Sequence, residues 1–242
     1  MFDLEDVFSL TIESKYFKDP YAIEIDGKMI PRVTAILGRM IEEPNVAQWS
    51  NSLGFKHLSY KKEMDRICAI GTQVHEQINM FLSGKSINDY MMSYGFMAFK
   101  SWYDQVSQLG VEVLGLEESL ISPFYCGTYD ALLKIGNLTY LIDFKTSNKI
   151  HFKYFLQLAA YRKLLKDIKG IDVDRCLILQ VSKYKPMFLE YLADLHYQPH
   201  NEYMTIAENT FLSLLYSFYN AMYLEGRFKY EWPSNPKLLA EK

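Results

Sequence analysis

Residues 126–146 read C-G-T-Y-D-A-L-L-K-I-G-N-L-T-Y-L-I-D-F-K-T. Two apolar runs, 126–135 and 138–146, flank the turn pair Gly136-Asn137, and this pattern predicts two adjacent antiparallel strands. Side chains alternate faces along a strand. Asp143 and Lys145 therefore leave one face, and Ile142 and Phe144 the other. The turn folds Asp130 back beside Asp143. Two carboxylates about 4 Å apart repel by about 4 kcal/mol at an effective dielectric near 20. A sheet gains nothing by placing them there for stability alone. A divalent cation between them turns the cost into a binding site, and an all-oxygen set suits Mg²⁺ or Mn²⁺. Lys145 beside such an ion can orient a water and help deprotonate it, which points to metal-assisted hydrolysis of a phosphodiester.

Working outward, Phe152 to Ile168 returns to helical spacing and Gly170 stops it. That helix carries Gln157 and Tyr161 at i and i+4, on one face turned back toward the strand ends. Upstream, V-E-V-L-G-L-E-E-S-L-I (111–121) reads as a further strand, which makes three in succession with 126–135 and 138–146. Arg175–Val181 and Pro186–Ala193 read as two more. A helix is expected over about 61–82, with Val74, Ile78, Phe81 and Leu82 on one side and Thr72, His75 and Asn79 on another. A second, aromatic-rich helix is expected over about 88–109. The span 34–58 reads as helical but interrupted at Gly38, Pro44 and Gly54. Residues 21–25 and the run M-I-P-R-V predict a hairpin about Asp26-Gly27, with Pro31 marking a strand end. An amphipathic helix over about 203–224 carries Met204, Ala207, Phe211, Leu214, Phe218 and Met222 on one stripe. The order gives an α/β (α+β) fold with a central mixed sheet.

At 242 residues, 49% hydrophobic and 15% aromatic, the chain can bury a sizeable core and is read as one domain over 1–242. Its parts are an N-terminal hairpin and helical region to about 110, a core over about 111–193, and the last helix. A net charge of -3 excludes histone-like, uniformly basic binding of nucleic acid but leaves room for a local basic groove. Cys68, Cys126 and Cys176 lie far apart, which excludes a four-cysteine metal cluster and favours a reducing, intracellular compartment. No run approaches about 18 apolar residues, and the opening M-F-D-L-E-D-V-F is acidic where a secretory signal is basic; no membrane association is expected.

A lone D-x-K is weak. Glu13-Ser14-Lys15, Asp26-Gly27-Lys28 and Asp167-Ile168-Lys169 also fit and read as solvated charge pairs. Only Asp143-Phe144-Lys145 follows an apolar strand, has a second Asp on the neighbouring strand and leads into a helix with Gln157 and Tyr161. Gly84-Lys85-Ser86 is no phosphate loop, because Asn79 stands where the first glycine belongs and a helix precedes it; no nucleotide cofactor is expected. His196 and His200 are separated by Pro199 and read as surface loop. Trp49 and Trp102 read as packing residues, with Trp49 able to stack a single-stranded base if exposed. The basic set Lys56, His57, Lys61, Lys62 and Arg66 reads as a solvated helix face that can line a path for phosphates.

G-T-Y-D (127–130), L-I-D-F-K-T-S (141–147) and Q-L-A-A-Y (157–161) together resemble the PD-(D/E)XK nucleases, and most closely their RecB-type exonuclease branch. That branch includes the mitochondrial genome maintenance exonuclease and many phage exonucleases. G-T-Q-V-H-E (71–76) resembles its helical histidine motif, and I-P-R-V-T-A-I-L (30–37) with Trp49 its usual N-terminal opening. The likeness covers roughly residues 20 to 190. It implies a restriction-endonuclease-like core with a helical N-terminal elaboration. It makes His75, Asp130, Asp143 and the Phe144 backbone carbonyl ligands of Mg²⁺ or Mn²⁺, and Lys145 the group that activates water and stabilises charge on the phosphate. Gln157 and Tyr161 would position the nucleic-acid backbone, with Lys149 beside them. A glutamate of the first strand belongs to the family set; Glu117 and Glu118 compete for that place, and Glu117 is preferred.

The resemblance further implies a cytoplasmic, in some relatives phage-encoded, exonuclease of DNA repair and recombination. It would leave 5′-phosphates and prefer single-stranded or free ends. Relatives that carry an iron–sulfur cluster hold it by four cysteines, so none is expected here. Two rivals are an endonuclease or junction resolvase using the same site, and an inactive nucleic-acid-binding protein of the same fold. The intact Asp130, Asp143 and Lys145 argue against the second.

Overall fold

The computed structural model describes residues 11–12, 22–25, 28–42, 44–193, 200–225 and 228–229. In chain order the elements are β1 Thr11–Ile12, β2 Ala22–Ile25, β3 Lys28–Pro31, α1 Val33–Met40, α2 Pro44–Phe55, α3 Tyr60–Leu82, α4 Tyr94–Val106, β4 Val111–Leu116, β5 Ser119–Ile121, β6 Cys126–Thr128, β7 Ala131–Ile135, β8 Leu138–Lys145, α5 Lys153–Lys169, β9 Arg175–Val181, β10 Phe188–Leu192, α6 His200–Leu224 and β11 Phe228–Lys229. The fold is α/β with a mixed five-stranded central sheet in the order β10-β9-β8-β7-β4. Only β8 and β9 run parallel, joined through α5; the other pairs are antiparallel. Short two-stranded ribbons, β2–β3, β5–β6 and β1–β11, stand beside it. Among the described residues no helix is long and apolar enough to cross a membrane.

The sheet is covered on both faces, which is why β8 and β9 read as nearly unbroken apolar runs. Leu132, Leu141, Cys176 and Ile178 pack under α5, α6 and α1, with Phe155, Leu158, Leu165, Phe211 and Phe218 in the same core. Ala131, Leu133, Ile142, Phe144, Leu177 and Leu179 pack on the opposite face against Val74 and Ile78 of α3 and Phe96, Phe99 and Trp102 of α4. Each of the Val, Leu, Ile and Phe side chains among these contributes about 1.5–3 kcal/mol on burial.

Several boundaries differ from the sequence expectation, each with a local cause. The helix expected over 88–109 is divided: a 3₁₀ turn at Asp89–Met91 precedes α4, and a second closes it at Ser107–Leu109. Ser93 caps α4, its hydroxyl accepting from the Phe96 amide at 3.1 Å. Gly38 and Gly54 lie inside α1 and α2 and break neither; Pro44 opens α2, where its missing N–H costs nothing. The hairpin arms β2 and β3 pair as expected, with Ile25 opposite Lys28, while the Asp26-Gly27 turn lies outside the described residues. So do Glu13-Ser14-Lys15, His196 and Pro199; His200 opens α6 instead of lying in a loop.

The correction that matters for function concerns the strands expected over 111–121 and 126–135. Both break at one level. Leu116 pairs with Ala131 in the central sheet, but Ser119 pairs with Thr128 in a separate ribbon. Between them Glu117-Glu118 faces Tyr129-Asp130, joined by Glu117 N–H to Asp130 O at 3.0 Å. A register shift between Val113 and Gly115 prepares this kink, and a Cβ at Gly115 would overlap the Tyr129 hydroxyl. Irregularities of this kind re-aim side chains beside functional sites. Here the re-aimed residues are Glu117 and Asp130.

Candidate active site

The register of β7 on β8 pairs Ala131 with Ile142. One residue further on, the same register sets Asp130 opposite Asp143. Asp143 is 2% exposed, so its charge has been taken out of water. The Lys145 ammonium lies 2.8 Å from Oδ1 and 2.7 Å from Oδ2 of Asp143. Oδ2 nevertheless accepts no hydrogen bond of good geometry; it is a buried oxygen close to a cation but not aligned with an N–H. Asp130 Oδ2 accepts from the Phe144 amide at 2.7 Å. Its Oδ1 stands 3.6 Å from Nδ1 of His75, an ion-pair distance but too long for a hydrogen bond.

Three elements set this cluster. β8 supplies Asp143, Phe144 and Lys145, and the kink before β7 supplies Asp130. α3 brings in His75, whose ring meets the Phe144 ring edge-on at 6.0 Å. α3 also rests on the end of β8: Thr146 Oγ1 lies 3.4 Å from where a Cβ at Gly71 would stand. On the far side, the Lys145 ammonium lies 4.8 Å from the centroid of the Tyr154 ring in the first turn of α5. A cation over an aromatic face gains about 0.5–2 kcal/mol depending on desolvation.

The charges settle each other. Burial pushes the Asp143 carboxyl up to about 6; Lys145 pulls against that shift and Asp130 adds to it. At Asp130 burial works the same way, but His75, Lys145 and the Phe144 amide outweigh it and hold the carboxyl below its ordinary range. Burial depresses His75, yet the neighbouring Asp130 carboxylate outweighs that and raises the imidazole. Lys145 is likewise raised, Asp143 and Asp130 together overcoming its burial. Two neighbouring carboxyls pushed in opposite directions make the pair a candidate functional site.

Glu117 and Glu118 diverge. Glu117 lines a cleft with His75, Asn79, Leu116, Asp130 and Phe144, of about 10 Å³, room for about one water-sized sphere. It sits in the left-handed region at φ 46°, which costs a residue with a Cβ about 1–3 kcal/mol. Glu118 turns away, accepting from the Tyr129 hydroxyl at 2.7 Å and pairing with Lys169. Of the two neighbours, Glu117 is the one beside Asp130.

Gln157 and Tyr161 are joined, the Gln157 amide donating to the Tyr161 hydroxyl at 3.1 Å. Tyr161 is buried with its ring against Gly127, so the half-buried Gln157 is the member of this pair available to a polymer. Lys149 is exposed on the loop after β8. Trp49 is not brought to the cluster. It stacks edge-on against Tyr60 at 5.3 Å, at the start of α3, and His75 lies about 22 Å further along that helix. Trp102 is buried in the core, as expected. Tyr154 was not among the expected residues, although it falls three before Gln157 and seven before Tyr161, on the same helical face.

The donors fit a hard divalent ion in type: the buried Asp143 carboxylate, the half-buried Asp130 carboxylate, a third carboxylate at the cleft, one imidazole and a backbone carbonyl, with Asp143 Oδ2 lacking a well-aligned partner. As placed, no three His, Cys, Asp or Glu side chains among the described residues are grouped as ligands around one point. The Asp143 carboxylate is instead turned onto Lys145. No model of a known protein family matches the chain, and no curated protein matches it.

Proposed function

We propose that the chain is a divalent-cation-dependent DNA exonuclease with a restriction-endonuclease-like core, of the RecB-type branch of the PD-(D/E)XK nucleases. The observation that carries this reading is the placement of Asp130 against Asp143 at the strand ends in the middle of a buried sheet, with Lys145 paired to Asp143 and His75 closing the cluster. A stability role is a poor explanation of it, because the desolvation of a buried ion pair with a second carboxylate alongside can cost more than the pairing returns.

In this reading His75, Asp130, Asp143 and the Phe144 carbonyl hold Mg²⁺ or Mn²⁺, with Glu117 at the cleft mouth. The bound ion supplies Lewis acidity toward the phosphate and a more acidic water. Lys145, which pairs with Asp143, would orient the attacking water and balance charge building on the phosphate oxygens. Tyr154 holds the ammonium over its ring. Gln157, braced by Tyr161, and Lys149 hold the backbone of the strand. The exposed Lys56, Lys61 and Lys62 near Trp49 and Tyr60 give a sequence-tolerant path of phosphate and stacking contacts along α2 and α3.

The test compares end-labelled linear single strands, linear duplex and a covalently closed single-stranded circle in Mg²⁺. The exonuclease reading expects short 5′-phosphorylated products from linear strands and survival of the circle. Rapid cutting of the circle favours an endonuclease with the same site. No cleavage of any substrate, with strands still bound, favours an inactive binding protein of the same fold.

A further inference from the structure

We propose that a cavity beside the cluster is a binding subsite for one nucleobase, that of the nucleotide next to the phosphate under attack; this rests on the nuclease reading for its neighbour and on its own lining for its chemistry. The parallel register of β8 and β9 sets Lys145 opposite Gln180, and the antiparallel register of β9 and β10 sets Gln180 opposite Leu189. Lys145, Gln180 and Leu189 thus form one row across the sheet, all on the face that carries Asp143, at about 4.8 Å per strand. The cavity is lined by Gln180 and Leu189 of that row and by Thr146, next to Lys145, and has a volume of about 210 Å³. It opens at the carboxyl ends of the two parallel strands, the usual place for a ligand in a sheet of this kind.

The lining selects the ligand. Ser147, Asn148, Gln180 and Ser182 give it hydroxyl and amide groups, and Met187 and Leu189 give it an apolar wall that is 43% and 47% exposed. Among the described residues the lining holds no charged side chain, so neither a phosphate nor a metal ion is matched there. A flat, uncharged group with donors and acceptors on its edge and apolar faces is matched, and a nucleobase is such a group. The wall is built in advance. Gln180 is 9% exposed, its amide donating to Ser147 O at 2.5 Å and its carbonyl accepting from the Tyr191 hydroxyl at 3.2 Å. One amide hydrogen and one lone pair have no partner among the described residues and can serve a ligand. Ser147 Oγ donates to Lys149 O at 3.0 Å, and Ser182 N–H donates to Met187 O at 2.9 Å, fixing both loops. Thr146, which also lines the cavity, directly follows Lys145, so a nucleotide whose phosphate meets the ammonium has its base within reach.

The experiment adds millimolar deoxyadenosine 5′-monophosphate, and separately deoxyribose 5-phosphate, to the ¹⁵N-labelled full chain and follows assigned amide resonances. The expected result is saturable shifts at Ser147, Asn148, Ser182 and Leu189 with the nucleotide only. Leu189→Glu, an exposed change away from the cluster, is expected to weaken those shifts at least tenfold in apparent affinity while the remaining spectrum is unchanged. Shifts confined to residues around Asp130 and Lys145, equal shifts with both ligands, or none at the cavity overturn the base subsite and leave the nuclease reading standing. Nucleotide shifts at the cavity in a chain that cleaves no DNA would keep the subsite and remove the nuclease.

Discussion

Gly127 and Tyr161 are in ring-to-backbone contact: a Cβ at position 127 would overlap Cε1 of the Tyr161 ring. The glycine three residues before Asp130 and the tyrosine four residues after Gln157 are therefore one packing unit, which ties the kink carrying Asp130 to the helix carrying Gln157. Gly127→Ala is expected to cost about 1–3 kcal/mol by overpacking. In a Tyr161→Leu background the same change should cost measurably less, because its obstacle has been removed. Urea denaturation of the four proteins of this cycle checks it; an equal cost in both backgrounds contradicts the contact.

The neighbouring glutamates should separate stability from activity. Glu117→Gly relieves a left-handed backbone at a side chain that lines the cleft, so the variant should be as stable as the parent or up to about 1 kcal/mol more stable, and should lose cleavage. Glu118→Ala should do the reverse. It strips the buried Tyr129 hydroxyl of its acceptor at a cost of about 1–3 kcal/mol and leaves cleavage in place. Thermal melts and initial rates on the same preparations decide between the two.

The buried Asp143 makes a signed prediction about pH. Its carboxyl is raised from 3.8 to about 6, chiefly by burial, so the ionised form disfavours the folded chain. That penalty is absent below about pH 4, grows as pH rises through about 6 and is complete above it. With a chelator present, Asp143→Asn should therefore gain stability relative to the parent between pH 4 and pH 7. Adding Mn²⁺ at pH 7 should restore the parent far more than the variant. A relative stability that stays flat over this range contradicts the burial of a charged Asp143.

Acid should also weaken cation binding. His75 must be neutral to ligate, and Asp130 raises its imidazole, so protons compete for the site as pH falls through that raised value. Mn²⁺ affinity measured by calorimetry should fall steadily below neutrality, and His75→Gln should bind more weakly with a shallower dependence.

Much of this was readable in the sequence because the deciding signals are local. The alternation in 138–146 places Asp143 and Lys145 together, the Gly136-Asn137 turn returns Asp130, and the helical spacing of Gln157 and Tyr161 aligns them. The central mixed sheet follows from the order of elements. The kink at Glu117 was not readable, since residues 111–121 read as one continuous strand and the break comes from tertiary contacts of Gly115 with Tyr129 and of Glu117 with Asp130. Choosing between Glu117 and Glu118 by alternation alone assumed a straight strand. Gln180 carried a weak signal, one amide in the apolar run R-C-L-I-L-Q-V, but its alignment with Lys145 depends on a parallel register that no local pattern encodes. The distance of Trp49 from His75 was likewise not readable, because it follows from the length of α3 and the contact of Trp49 with Tyr60.

In the proposed mechanism Lys145 divides binding from chemistry. Lys145→Ala should keep Mn²⁺ binding, because an ammonium is no ligand, while slowing cleavage by roughly 10²–10⁴-fold. The most direct measurement is cleavage of an end-labelled linear single strand in Mg²⁺ by the parent, Asp143→Asn and Lys145→Ala, with Mn²⁺ affinity taken on the same samples. The expected result is processing by the parent that stops with a chelator, none by Asp143→Asn together with weakened Mn²⁺ binding, and slow processing by Lys145→Ala with binding retained. Cleavage at the parent's rate by Asp143→Asn would contradict a hydrolytic site built on Asp130, Asp143 and Lys145.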